Sequence, residues 1–215
     1  MKTNFLFAGV VGALTLGAAA QASAKVVLTF EGLGNSQPIG NYYNGGGGGN
    51  LGISFGADSL ALRSAITPGC GGTGIFSGQP SGCTVAFFLT GPGDVMNVAA
   101  GFTTGFSFFY ADQVNHTGSV SVFSGLDGTG TLLANLTLPS TPNPYTVFVP
   151  IGVTFLGTAE SVVFSGSANY IAFDDVTLGS ASPGVPEPAT WTMMLLGFAG
   201  VGFGLRRRTK AAIAA

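Results

Sequence analysis

Length, composition and charge already exclude several classes of protein. The chain has 215 residues, of which 46% are hydrophobic and only 7% are charged, so it can bury a core and is too apolar for a disordered, solvating protein. Between Lys25 and Pro188 two basic residues stand against nine acidic ones, a formal charge of −7. So acidic a segment argues against nucleic acid or anionic lipid as its partner.

The first 24 residues have the pattern of a secretory signal peptide. Lys2 precedes an apolar run over residues 5–20, and the small residues 22–24 follow it. This order of charged, apolar and small residues predicts cleavage after Ala24. The alternative is a retained N-terminal anchor helix, against which the shortness of the apolar run argues.

Short apolar or alternating runs, bounded by Gly, Pro, Asn and Asp, occupy residues 25–179. Their Val, Phe, Ile and Thr content favours short β-strands. The predicted strands are 26–30, 52–55, 85–90, 102–110, 119–124, 131–138, 145–151, 161–165 and 170–178. Phe106, Phe108 and Tyr110 alternate with the residues between them, as in a strand with one face in a core and the other nearer solvent. We therefore expect an all-β, antiparallel β-sandwich of jelly-roll type.

Two glycine-rich segments predict connections between strands. Residues 125–130 lie between two predicted strands and favour a tight hairpin. Residues 44–50 contain five consecutive glycines and predict a flexible loop, without the Lys-Ser/Thr pair and the helix that a phosphate-binding loop needs.

Cys70 and Cys83 are the only cysteines. In an exported protein they predict a disulfide. The loop that it would close is rich in glycine, so the crosslink should stabilise the fold by about 3 kcal/mol on the chain-entropy model.

Groups able to catalyse reactions are scarce. The single histidine, His116, lies in a polar segment between two predicted strands and is interpreted as a solvated loop residue. A histidine metal cluster is excluded, and a Ser-His-Asp triad would depend on this residue alone. Paired carboxylates are the remaining route to an enzyme, with Glu31, Asp174 and Asp175 as candidates for a glycoside hydrolase.

The last predicted strand changes phase in its middle. Its apolar residues are odd-numbered up to Phe173 and even-numbered from Val176 onwards, which predicts a β-bulge at Asp174 and Asp175. If the first and last strands are neighbours, the bulge directs a carboxylate towards Glu31. Three hard oxygen donors there would suit a structural calcium ion better than hydrolysis. The alternative is that these acids only solvate strand ends and cap turns.

The C-terminal segment begins after a small-residue linker, residues 180–184. An uncharged stretch, 189–205, is about 25 Å long as a helix, which is marginal for crossing a membrane. Basic residues behind it would stay on the cytoplasmic side and leave the body of the protein outside. Two prolines before it prevent helix and keep the peptide extended. The motif and the basic cluster are Val185, Pro186, Glu187, Pro188, then Arg206, Arg207 and Arg208.

This order resembles the PEP-CTERM sorting domain of Gram-negative, exopolysaccharide-producing bacteria, here residues 185–210, with 211–215 as a tail. The resemblance implies recognition by an exosortase, an integral membrane processing enzyme, near the Pro-Glu-Pro motif. A plain tail anchor is the alternative. The segments 30–33 and 172–176 also resemble the edges of jelly-roll ectodomains found ahead of this signal, and of carbohydrate-binding modules with a structural calcium.

The leading functional hypothesis is a non-enzymatic exported protein, tethered to the inner membrane during sorting and then placed on the cell surface or in the extracellular matrix. It would associate with exopolysaccharide, with Tyr42 and Tyr43 beside the glycine run as candidate sugar contacts. These tyrosines could instead pack over a sandwich edge. The alternatives are a carbohydrate-active enzyme that uses Glu31, Asp174 and Asp175, and a structural sheath component without a ligand.

Overall fold

The computed structural model describes residues 25–112, 116–143 and 145–184, and their regular structure is almost entirely β-strand. A short 3-10 turn, Leu126–Gly128, joins the ninth strand to the tenth. The strands are β1 Val26–Leu28, β2 Asn44–Gly46, β3 Gly49–Asn50, β4 Ile53–Phe55, β5 Ser59–Arg63, β6 Thr84–Phe88, β7 Gly93–Phe102, β8 Gly105–Asp112, β9 Gly118–Phe123, β10 Leu132–Leu138, β11 Val149–Thr154, β12 Ala159–Gly166 and β13 Ile171–Leu178.

Two antiparallel sheets form the sandwich. The six-stranded sheet has the order β11-β8-β13-β6-β5, with β1 also paired to β13. The five-stranded sheet has the order β10-β9-β12-β7-β4, and β2 and β3 form a separate small hairpin. The prediction of an all-β antiparallel sandwich is therefore confirmed.

The main core lies between the two sheets and is rich in phenylalanine. Phe106 and Phe108 of β8 are fully buried, and both rings contact Phe164 of β12 edge to face. Phe173 of β13 packs against Phe164 with 4.8 Å between ring centroids. Burying a side chain of this size stabilises the fold by about 1.5–3 kcal/mol, so these contacts hold the sheets together.

The outer face of β8 is also covered, contrary to the expectation that it lies nearer solvent. Ser107 and Ala111 are as fully buried as the core-facing residues. A second apolar cluster, which includes Phe76, Phe148 and Ala172, packs on this outer face. The alternation in the sequence identifies the core side correctly, but it cannot reveal that two long loops cover the other side.

Strand β13 is buried along its whole length and occupies the centre of the six-stranded sheet. One edge pairs with β8; the other pairs first with β6 at Phe173 and then with β1 from Val176 onwards. The register with β8 shifts between Asp174 and Thr177, and Asp175 has a positive φ of 48°. Both the predicted bulge and the pairing of the first and last strands are confirmed.

Several boundaries differ from the prediction. The sequence predicts one strand over 102–110, but β7 ends at Phe102 and β8 begins at Gly105, with a turn between them. The strand predicted at 145–151 begins at Val149. The sequence predicts neither β5 nor, apart from its last residue Phe102, the ten-residue strand β7. The predicted hairpin at 125–130 is confirmed, because β9 and β10 pair on either side of the 3-10 turn.

The run of five glycines forms the hairpin β2–β3 and not the flexible loop that was predicted. Its backbone packs against the ring of Tyr42: a Cβ at Gly47 would lie 2.8 Å from the ring and one at Gly48 only 2.6 Å from it. The glycines are therefore required for close approach to an aromatic ring.

Residues 180–184, which the sequence predicts as a linker, are docked on the sandwich. The hydroxyl of Ser107 donates a hydrogen bond to the Ser180 carbonyl at 2.8 Å, and the N–H of Gly184 donates to Thr177 Oγ1 at 2.8 Å. The backbone of Ala181 approaches β11 so closely that a Cβ at Gly152 would overlap it. Gly184 itself is buried.

Several predicted elements fall outside the described residues: the signal peptide 1–24, the Pro-Glu-Pro motif, the apolar stretch 189–205 and the basic residues 206–208. Within the part of the chain that is described, no helix is long and apolar enough to span a membrane.

Candidate functional site

Cys70 and Cys83 form the predicted disulfide, with their Cα atoms 5.3 Å apart. Cys83 immediately precedes β6, so the bond ties the first residue of the loop 70–83 to the start of this strand. The last residues of this loop meet all three of the acidic side chains singled out in the sequence.

Glu31 follows β1 in the chain, and its side chain is hydrogen-bonded to the start of β6. Its Oε1 accepts hydrogen bonds from the backbone N–H groups of Cys83, at 2.8 Å, and Thr84, at 2.7 Å. Gly82 has a positive φ of 38°, and a Cβ there would overlap the Glu31 carboxylate. Glycine is therefore needed at this position for both its conformation and its size.

Asp174 is completely buried at the bulge of β13. Its carboxylate accepts hydrogen bonds from the N–H of Ser81 at 3.2 Å, from the Ser81 hydroxyl at 3.1 Å, and from the N–H of Asp175 at 2.8 Å. Burial, and then the charge of Asp175, raise the pKa of Asp174 to about 8, although these hydrogen bonds oppose the rise.

Asp175 is also fully buried, and neither of its carboxylate oxygens has a hydrogen-bond partner among the described residues. Burial raises its pKa to about 6; the nearby Ser81 hydroxyl opposes this rise and the charge of Glu31 adds to it. Neighbouring carboxyl groups of this kind titrate as a pair, so we expect Asp174 and Asp175 to share one proton at neutral pH.

The geometry gives little support to the predicted calcium site. Among the described residues, no group of three or more His, Cys, Asp or Glu side chains converges closely enough to hold a metal ion. Glu31 and Asp174 accept hydrogen bonds from the segment 81–84. These bonds use oxygen lone pairs that a hard cation would need. The calcium hypothesis is therefore supported by the sequence pattern alone.

Tyr42 and Tyr43 pack over the sandwich edge, which was the alternative to sugar binding. Tyr43 is only 5% exposed and its hydroxyl accepts a hydrogen bond from the N–H of Phe30 at 2.7 Å. The Tyr42 hydroxyl donates to the carbonyl of Glu31 at 2.7 Å. Sugar contact requires exposed rings, and Tyr43 does not present one.

A groove that the sequence did not predict lies on the outer face of the six-stranded sheet. Its volume is about 450 Å³, and its floor comes from β5, β6 and β13. The loop closed by the disulfide forms one wall, and Tyr145 and Tyr170 also line the groove. The lining residues are Ser36, Leu60, Leu62, Thr73, Gly74, Ile75, Phe76, Phe87, Leu89, Tyr145, Asn169, Tyr170, Ile171 and Ala172.

The groove is neutral and partly aromatic. None of the described residues that line it is an acid or a base. Burial, followed by the charge of Asp112, raises the pKa of Tyr145 to about 12, so its phenol stays neutral at physiological pH. The groove therefore suits an uncharged ligand.

Tyr170 is the exposed aromatic ring of this groove. It is 38% exposed, and His116 stacks on it with 3.8 Å between ring centroids and 9° between ring planes. His116 is half-buried in this stack, whereas the sequence suggested a solvated loop residue. The histidine therefore covers one face of the Tyr170 ring.

The carboxyl pair makes a testable prediction about stability and pH. Folded Asp174 takes up a proton near pH 8, whereas an unfolded carboxyl does so only near 3.8. The free energy of unfolding should therefore rise as the pH falls from about 8 to about 5, by at most about 1.4 kcal/mol per pH unit for one proton. Urea unfolding at several pH values measures this slope.

Asp174→Asn should reduce the slope, and Asp127→Asn, at an exposed position, is the matched control that should leave it unchanged. A wild-type stability that is flat or rises with pH over this range would contradict the buried pair.

Comparisons with solved structures give weak likenesses. A cleaved-adhesin domain of Lys-gingipain from Porphyromonas gingivalis matches with a TM-score of 0.43 and 16% identity, over 73% of this chain and 98% of that domain. A family 11 carbohydrate-binding module from Clostridium thermocellum, solved with a mixed-linked tetrasaccharide, matches with a TM-score of 0.36 and 13% identity, over 75% and 100% of the two chains.

A carbohydrate-binding module from Cellvibrio mixtus lichenase 5A, solved with cellotriose, matches with a TM-score of 0.36 and 14% identity, over 57% of this chain and 86% of that one. Likenesses at this level carry no argument about the function of this chain. No curated protein is significantly similar to it.

One part of the chain matches a family model. Residues 184–208 match the PEP-CTERM protein-sorting motif, which agrees with the assignment of 185–210 made from the sequence. This chain carries a PEP-CTERM sorting signal and is an exported protein that is sorted through the membrane.

Proposed function

We propose that this chain is a non-enzymatic surface or extracellular-matrix protein of a Gram-negative bacterium, processed by an exosortase-type membrane enzyme at its sorting signal. The observation that carries the proposal is the motif at 184–208, which follows the sandwich without a free linker. The sandwich is then the cargo that the signal delivers.

The disulfide supports export. Such bonds persist in oxidising compartments outside the cytoplasm and are rare within it. Cys70 and Cys83 are bonded to each other, and the predicted signal peptide 1–24 would deliver the chain to such a compartment.

The acidic residues support a structural rather than a catalytic role. A glycoside hydrolase needs two carboxyl groups that both reach the substrate. Asp174 and Asp175 are inaccessible to solvent, and Glu31 is held by two backbone N–H groups. The only histidine of the chain is stacked on Tyr170. These contacts favour a binding or structural protein over an enzyme.

The processing step is tested by the mass of the mature protein. We expect intact-mass analysis of material from the native envelope to show a chain that begins at Lys25 and ends near Pro186-Glu187-Pro188. Removal of the signal peptide gives the first boundary and exosortase processing gives the second. A chain that still ends at Ala215 would reduce the signal to an ordinary tail anchor.

The groove favours exopolysaccharide as the ligand of the delivered sandwich. The C–H faces of a neutral sugar pack on an aromatic ring such as Tyr170, and its hydroxyls need neutral polar partners such as Asn169 and Thr73, which also line the groove. A charged ligand would find no counter-charge among the described lining residues.

Replacement of Tyr170 tests this ligand assignment. Affinity electrophoresis through gels that contain exopolysaccharide from the native strain should retard the wild-type protein. Tyr170→Ala should weaken binding about tenfold or more, as the loss of a central aromatic contact does. Leu126→Ala, at an exposed residue outside the groove, should bind normally. No retardation of the wild type would favour a sheath component without a ligand.

A further inference from the structure

The docked segment 179–184 follows β13 and leads to the sorting signal. The N–H of Gly179 donates a hydrogen bond to the Gly105 carbonyl at 2.9 Å, and the Thr104 hydroxyl donates to the Gly179 carbonyl at 2.8 Å. Gly105 pairs in turn with Thr154, the last residue of β11. The turns 103–104 and 155–158 therefore lie at the end of the sandwich where β13 ends and the docked segment begins.

The turn after β11 exposes one large apolar side chain. Leu156 is 93% exposed, more than any other large hydrophobic residue among those described, while the adjacent Phe155 is buried. A shallow depression around it is lined by Thr103, Thr104 and residues 154–158, none of them charged. Glu160, the first acid after this turn, is half-buried. This neutral surface with an apolar tip suits the boundary between water and lipid.

The covalent connection leaves little room between this end and the membrane. Gly184 is fixed to the sandwich by its hydrogen bond to Thr177, and the apolar stretch begins five residues later at Ala189. Five extended residues span at most about 18 Å. The headgroup region adds about 5–7 Å on each side of the hydrocarbon core, so the sandwich cannot stand far from it.

We propose that, before processing, the end of the sandwich that carries the turns 103–104 and 155–158 lies against the outer surface of the bilayer, with Leu156 in the headgroup region. The partner is a lipid surface. The inference rests on the proposed function, because it requires the stretch 189–205 to anchor the precursor. It would fix the orientation in which the processing enzyme meets the Pro-Glu-Pro peptide.

Fluorescence quenching by brominated lipids tests this orientation in the full-length precursor. Trp191 is the only tryptophan, so Trp191→Phe gives a dark background into which Leu156→Trp is introduced. Lipids brominated in the upper acyl chain should lower its emission at least about twofold, because interfacial side chains lie about 5–10 Å into the headgroup boundary.

Leu89→Trp in the same background is the matched control. Leu89 is 48% exposed and follows β6 at the opposite end of the sandwich, where the Phe88 carbonyl accepts a hydrogen bond from the N–H of Asn169. Its emission should not change. Equal quenching at the two positions, or none at Leu156→Trp, in a precursor that floats with the vesicles overturns the proposed orientation. A precursor that does not float overturns the anchoring itself, and the proposed orientation with it.

Discussion

The bulge in β13 is the constraint on which the rest of the molecule depends. At Asp174 and Asp175 the central strand changes its neighbour from β6 to β1, and the extra residue changes the phase of its side chains. Two carboxyl groups are buried at this point, where each would be costly to ionise. The Ser81 backbone and hydroxyl bind Asp174, so the loop that closes the groove is tied to the centre of the sheet.

Function then divides between two parts of the chain. The sorting signal at 184–208 directs the protein to the membrane for sorting. The sandwich is the part that can act once the protein has been sorted. The acids at the bulge resemble a catalytic or metal site in the sequence, but the carboxylate of Asp174 is hydrogen-bonded to Ser81 and thereby ties the loop 70–83 to β13. The surface proposed to bind a ligand is the neutral groove, one wall of which is formed by the loop 70–83 that the disulfide closes.

Features with a local signature could be predicted from the sequence. The bulge follows from the phase change around Asp174, the disulfide from two lone cysteines, and the sorting signal from the order of its motifs. Features that depend on packing between residues far apart in the sequence could not be predicted. The groove depends on how the loop 70–83 packs beside β5, and the docking of 180–184 depends on the absence of a side chain at Gly152. In the sequence, the small residues 180–184 cannot be distinguished from those of a linker.

We propose that residues 184–208 direct the sandwich to processing at the membrane. Replacement of Pro186 and Glu187 by alanine in the full chain, followed by cell fractionation and intact-mass analysis, tests it most directly. We expect this variant to fold with its disulfide formed but to accumulate in the membrane fraction at the mass of the unprocessed precursor. Release of the variant at the same mass and in the same amount as the wild-type protein would contradict it.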